Sequence, residues 1–394
     1  MSFHPPAVRC MAEHILNCLR EHRSRSTVGA RCPPLFVGVQ GPQGSGKTFL
    51  TSRLREQLGT SPHSLTVAVL SIDDIYLPHA SLAALARAHP FNPLLQGRGQ
   101  PGTHDIGLGS ALLRGISKIN ESVDGPAEVE LPVFDKSLFG GEGDRLPHGK
   151  VLRPPVDVFI LEGWCVGFYP TSTSVIKERW NAGVSGLEDC FDIKSFVRME
   201  DVLAINDQLK AYVEWWEMLD AFIQVSVRFR YPAADGRCVD RWQIKGPSPY
   251  KIIYEWRLQQ EHYMKARNGG RGMTDEQVKA SVFSHSTAVL AYACSSVSWT
   301  GTSQGMSSSQ TALPLVRVKG AGQDGLEMDW RWSLDQRGNL SAHPSSDIPP
   351  MEKSVVDIWM GRRTFQRYYS IYFPSSDEWY VHWLWMCVTR RRTW

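Results

Sequence analysis

A chain of 394 residues with 43 basic and 40 acidic side chains has a net charge near +3, too weak a bias to mark nucleic acid or an anionic membrane as its partner. Its eight cysteines, at positions 10, 18, 32, 165, 190, 238, 294 and 387, form no C-x-x-C pair and have no histidine at metal-ligand spacing. That pattern argues against a disulfide framework or a structural zinc site, and for reduced thiols in a cytoplasmic protein. No run of eighteen apolar residues and no signal-like apolar segment at the start are present, so neither a bilayer span nor a secretory leader is expected.

In chain order, Val8, Met11, Ile15 and Leu19 recur at helical spacing and predict a helix over 7–21, packed on the outside of the main domain. The run PPLFVGVQ (33–40) reads as a buried strand, followed by the glycine-rich GPQGSGKT and a helical segment with Phe49, Leu50, Leu54 and Leu58 on one face. LTVAVLSID (65–73) and VDVFILEG (156–163) read as further buried strands. Strand, glycine loop, helix and strand is the β-α-β pattern of a parallel sheet with helices on both faces.

Between these strands, 81–123 reads as helix and loop. Residues 202–219 place Leu203, Leu209, Tyr212, Val213, Trp216 and Leu219 on a helical stripe, an expected core face. Residues 249–267 read as a helix, and Thr274 with Gln277 three residues on has the capping-box spacing of a new helix start. Beyond about residue 281 the chain turns Ser/Thr/Gly-rich and then tryptophan-rich. It shows no period from which a fold can be read.

GPQGSGKT fits G-x-x-x-x-G-K-[ST] at Gly41, Gly46, Lys47 and Thr48. Glycines at 41, 44 and 46 allow positive φ, so that successive N–H groups face phosphate oxygens, and the following helix aims its positive end at the same anion. Gly41, Pro42, Gln43, Gly44, Ser45, Gly46, Lys47, Thr48 and Phe49 are therefore the candidate nucleotide-binding residues. Lys47 is expected to reach the β and γ phosphates, and the Thr48 hydroxyl to bind Mg²⁺.

SIDDIYLP (71–78) leaves the carboxyl end of the second strand, the edge where open α/β sheets bind ligands. Two adjacent acids there fit a capped, solvated turn as well as they fit chemistry. Beside a phosphate loop, however, one of them is well placed as general base toward a hydroxyl. Strand alternation is expected to aim Asp73 at the phosphates and Asp74 the other way. FILEGW (159–164) ends an apolar strand on an acid, so Glu162 is expected to orient Mg²⁺ or its water ligands, with Asp73 as a further candidate metal ligand.

RGQPGTHD (98–105) and PVFDKS (132–137) are polar loops. Arg98, His104, Asp105, Asp135 and Lys136, with Asp74 and Tyr76, are the candidate residues for a small polar, anionic acceptor. Arg257, Lys265, Arg267 and Arg271 surround Gly269-Gly270 in a segment that suits either a lid over phosphate or an ordinary charged helix face.

GPQGSGKTFL, LSIDDIYL, RGQPGTHD, PVFDKS, GGEGDR, FILEGWCVGF, INDQLKAY and WRLQQEHYMKARNGGRGMTDEQV occur in that order over roughly residues 8 to 280. Together they resemble the D-glycerate 3-kinase family of plants and fungi, a branch of the P-loop kinases that includes uridine kinase, phosphoribulokinase and pantothenate kinase. The resemblance implies an α/β P-loop NTPase fold and an ATP- and Mg²⁺-dependent phosphotransferase. It also implies catalytic roles for Asp73 as base, Lys47, and the lid residues Arg257 and Arg271.

The implied organisation is an N-terminal helix (1–30) packed on the core and a kinase domain over 31–280. That domain has a lid near 250–275 and an insertion near 227–248, and a divergent tail of unassigned fold over 281–394 follows it. D-glycerate is the acceptor the resemblance implies; the residues themselves specify only something small, hydroxylated and anionic. Two alternatives stand beside it: a nucleotide-binding protein without efficient transfer that acts through partners, and a kinase for a nucleoside or pantothenate-like acceptor.

Overall fold

In a computed structural model of the chain, residues 6–26, 31–121, 128–182, 193–232, 238–240 and 249–292 are described, together with strand segments at 330–334, 340–344, 353–361, 366–372 and 381–382. Helix α1 (Pro6–Ser24) leads to strand β1 (Leu35–Gln40), helix α2 (Lys47–Gly59) and strand β2 (Val67–Ser71). Helices α3 (His79–Ala88) and α4 (Ile106–Ser117) follow. A nested pair of antiparallel ladders comes next: β3 (Val129–Leu131) pairs with β6 (Lys150–Leu152), and inside them β4 (Phe134–Asp135) pairs with β5 (Asp144–Arg145). Strand β7 (Val158–Gly163) precedes helices α5 (Thr173–Ala182), α6 (Ile193–Phe196), α7 (Met199–Gln208) and α8 (Val213–Glu217). Strands β8 (Ala221–Pro232) and β9 (Cys238–Asp240) and helices α9 (Pro249–Arg267) and α10 (Asp275–Tyr292) come after them.

Strands β8, β1, β7 and β2 lie side by side and parallel. Their residues alternate between two apolar layers because successive side chains point to opposite faces. Leu35, Val37 and Val39 of β1, with Val158 and Ile160 of β7, meet Val8, Met11, Ile15 and Leu19 of α1 and Leu50, Leu54 and Leu58 of α2. Phe36, Phe159 and Leu161 face the other layer, which holds Tyr212, Trp215 and Trp216. With both faces covered, β1 and β7 are buried at every position, which is why they read as unbroken apolar runs. Each such side chain contributes about 1.5–3 kcal/mol on burial.

Two sequence expectations are corrected, and the parallel sheet has an antiparallel extension. The second strand ends at Ser71, and Ile72–Ile75 forms a 3₁₀ turn whose two isoleucines are buried, which mimics a continuing strand. The 202–219 stripe is split into α7, a 3₁₀ turn (Leu209–Tyr212) and α8, so Trp215 as well as Trp216 reaches the core, while Leu203 packs only at its edge. The sheet is parallel only in part. Strand β12 (Lys353–Gly361) runs antiparallel to β8, and β13 (Gln366–Tyr372) and β14 (Val381–His382) extend it. Strands β10 (Trp330–Leu334) and β11 (Leu340–Pro344) form a separate antiparallel pair.

Helix α10 runs to Tyr292, past the change of composition near 281. Its start is the capping box expected there: Thr274 N–H donates to Gln277 Oε1 at 2.7 Å and Gln277 N–H to Thr274 Oγ1 at 3.2 Å. Residues 233–237 and 241–248 of the expected insertion, the Ser/Gly-rich stretch at 293–329 and the arginine-tryptophan end (383–394) lie outside the described residues. So do Cys190, Cys294 and Cys387; Cys10, Cys18, Cys32 and Cys165 are not in disulfides.

Candidate active site

Because β1, β2 and β7 are parallel, their carboxyl ends meet at one edge of the sheet. The phosphate loop leaves β1 there, the Asp73 turn leaves β2, and Glu162 sits at the end of β7.

Gly44 (φ 76°) and Gly46 (φ 78°) adopt left-handed backbone, and Gly46 caps α2. Gly41 differs from expectation. It is not among the positive-φ glycines, and what demands glycine there is close approach, since a Cβ would lie 2.7 Å from Val225 O of β8. Lys47 is buried, and its Nζ donates to Pro42 O at 2.8 Å. Burial lowers its pKa, while Glu162 and Asp73 pull the other way. The Ser45 hydroxyl is buried without a hydrogen-bond partner, a donor in reserve that fits a phosphate oxygen, whereas the likewise unpaired Gln43 Oε1 is an acceptor and suits a donor instead. Phe49 lies one turn into the helix, half-buried against the α1–α2 layer, with the Arg53 guanidinium 5.6 Å from its ring centre.

Thr48 Oγ1 donates to Glu162 Oε1 at 3.0 Å. Burial raises the Glu162 pKa, offset by the Lys47 ammonium. A hydroxyl and a carboxylate in contact are the hard oxygen donors that Mg²⁺ selects, so this set fits that ion.

Asp73 is aimed by the 3₁₀ turn rather than by strand alternation. Its Oδ2 pairs with Lys136 Nζ and its Oδ1 accepts from the Tyr76 hydroxyl at 2.9 Å. Burial by itself would raise its pKa, but the Lys136 ammonium, His104 and the Tyr76 hydroxyl outweigh it and hold the carboxyl well below the usual range. Tyr76 is buried, stacked on His104 with ring centres 4.5 Å apart and edge-on to Phe134. His104 Nδ1 lies 2.7 Å from the Tyr212 hydroxyl, which also accepts from Gly102 N–H at 2.9 Å.

Several candidate acceptor residues are engaged by the framework. Asp74 Oδ1 accepts from Phe134 N–H at 3.1 Å, and burial raises its pKa. Asp105 caps α4 through Leu108 N–H at 3.0 Å and is held by both Arg145 guanidinium nitrogens at 3.1 Å. Asp135 Oδ1 accepts from Ser137 N–H and Oγ at 2.8 and 2.7 Å, which lowers its pKa. Arg98 is near Tyr76 and Asp73 electrostatically, yet its Nη1 is engaged by the Gly141 and Glu142 carbonyls at the β4–β5 tip.

The two expected lid arginines differ in place. Arg257 is half-buried in an ion pair with the buried Glu261 at 2.8 Å and acts on the charge of Arg98. Arg271 sits in the turn after α9, its Nε donating to Asn268 O at 3.2 Å, and its charge acts on Asp135 across the gap. Sequence reasoning missed Glu261, whose Oε1 also accepts from Met273 N–H at 2.8 Å and so fixes the turn between α9 and α10. Its spacing of four from Arg257 was the available signal.

No family model matches the chain. It is 36% identical over 258 residues to a probable ATP-dependent kinase of Saccharomyces cerevisiae, across 64% of this chain and 76% of that protein. It is 30% identical over 274 residues to a chloroplastic D-glycerate 3-kinase of Arabidopsis thaliana, across 69% of this chain and 50% of that one. Among solved structures, a D-glycerate 3-kinase from Cryptococcus neoformans has 36% identity and a TM-score of 0.60, covering 74% of this chain and 89% of that chain. The α/β P-loop NTPase fold, the ordered motifs and these matches agree: the chain belongs to the D-glycerate 3-kinase family of P-loop kinases.

Proposed function

We propose that the chain transfers the γ-phosphoryl group of ATP to a hydroxyl of a small anionic acceptor, and that D-glycerate is that acceptor. One observation carries the reading. Lys47, Asp73 and Glu162 stand at the ends of three parallel strands and act on one another's charge in a buried cluster. In the reaction the acceptor hydroxyl gives its proton to Asp73 and its oxygen forms the new bond to Pγ. The bond from Pγ to the bridging oxygen breaks, and that electron pair leaves with ADP. Lys47 holds the phosphate charge through transfer, since positioning and electrostatics supply most of the barrier reduction in a loose transition state. Thr48 and Glu162 would hold Mg²⁺, which when bound neutralises charge on the β and γ oxygens.

Residues 31–280 form the kinase unit in this reading, and the turn between α9 and α10, with Arg257 and Arg271, serves as its lid. The supporting evidence is kinship with D-glycerate 3-kinases and the Lys136 ammonium that stands beside Asp73. The test is titration calorimetry with ATP, followed by ADP release measured across hydroxy acids, nucleosides and pantothenate. ADP release stimulated most by D-glycerate is expected. Preference for another acceptor contradicts the substrate, and ATP binding without stimulation by any acceptor contradicts the kinase.

A further inference from the structure

Lys136 was expected to bind the acceptor, yet it is spent on Asp73. Together with Tyr76 it leaves each oxygen of that carboxylate already holding a donor. The three partners are not equally mobile. Asp73 is fixed in its 3₁₀ turn, and the Tyr76 ring is wedged between His104 and Phe134. The backbone of the β4–β5 tip is tied down by Arg98 through the Gly141 and Glu142 carbonyls. Lys136 is a four-carbon stem with a side chain 41% exposed, against 23% for Asp73. Only its ammonium can leave without disturbing the framework.

We propose that Lys136 is a specificity switch: it masks Asp73 until a carboxylate on the acceptor draws its ammonium away, so that only an anionic acceptor uncovers the proton-accepting oxygen. The inference rests on the reading above that the chain phosphorylates a small anion. Its physical basis is the cost of leaving a half-buried carboxylate without its charge partner. An acceptor carboxylate offers Lys136 a replacement partner, and the acceptor hydroxyl takes the vacated place at Asp73 Oδ2. A neutral polyol or water offers the lysine nothing, so the mask stays on and ATP is not spent on them. Lys136 holds Asp73 in the masked state and the acceptor carboxylate in the open one, and so sets selectivity.

The test compares wild type, Lys136→Met and Lys136→Arg, each checked for an intact melting transition. The measurements are ATP hydrolysis without acceptor and kcat/KM for D-glycerate and for its uncharged analogue glycerol. The methionine variant should hydrolyse ATP several-fold faster than wild type without acceptor. It should lose about 100-fold in kcat/KM for D-glycerate, the scale of removing one partner of a desolvated charge pair. Glycerol should be turned over no worse, and the arginine variant should keep most of the preference for the anion. Unchanged acceptor-free hydrolysis in Lys136→Met, or equal losses with both acceptors, would overturn the switch. Wild type that ignores D-glycerate contradicts only the choice of acceptor, because the rise in hydrolysis needs no acceptor.

Discussion

The phosphate end of the site and its acceptor end differ in how their parts are gathered. The phosphate loop, its lysine and its hydroxyl come from one continuous stretch, Gly41 to Thr48, whose strand and helix are each locked into the same apolar layer. The acceptor end is assembled from the Asp73 turn, the 98–105 loop, the tip of the β4–β5 ladder and the turn between α9 and α10, joined by single side chains. A contiguous site resists loss of any one neighbour, whereas an assembled wall fails at its linking residues.

Three substitutions sharpen that contrast. Lys47→Ala should lower kcat by about 1,000-fold, the scale of removing a donor that stabilises transferring charge, with the melting temperature little changed; near-normal turnover in a coupled ADP assay would break the account of the phosphate end. Glu261→Ala leaves the half-buried Arg257 without its partner and frees Met273 N–H. It should cost about 3 kcal/mol of stability in denaturant titration and impair turnover as well, because the turn carrying Arg271 loses its anchor. Gly109→Ala on α4 places a Cβ into the Trp215 ring. It should cost about 1–3 kcal/mol by overpacking, with kcat preserved at temperatures where the protein stays folded.

The smallest effect is a pH dependence. Asp73 is held below the ordinary carboxylate range in the folded protein. Its contribution is therefore complete above that range and is lost as pH falls through the depressed native value. The melting-temperature gap between wild type and Lys136→Met should be widest near neutral pH and shrink in acid. A gap that widens in acid would contradict the pairing.

Legibility in the sequence follows the same division. Strands β1 and β7 and helix α2 were readable because both faces of the strands and one face of the helix are apolar over five or more residues. The end of β2 was misread because Ile72 and Ile75 are buried as strand residues would be, though the backbone there turns. Strands of two or three residues, as in β3 to β6, are too short to show alternation, so the ladder that presents Lys136 was invisible. The roles of Asp105 and Glu261 depend on Arg145 and Met273, contacts that no local pattern encodes. SVVDIWMG (354–361) and RYYSIY (367–372) form strands β12 and β13 in a tail to which the sequence reading assigns no fold, although their β-branched and aromatic enrichment was an available signal.

The central claim is phosphoryl transfer with Asp73 as proton acceptor, and single-turnover phosphorylation of D-glycerate by wild type and Asp73→Asn tests it most directly. The account predicts formation of phosphoglycerate by wild type and a fall of roughly 100- to 10,000-fold in the asparagine variant, with ATP affinity retained. Equal rates for the two proteins would contradict it.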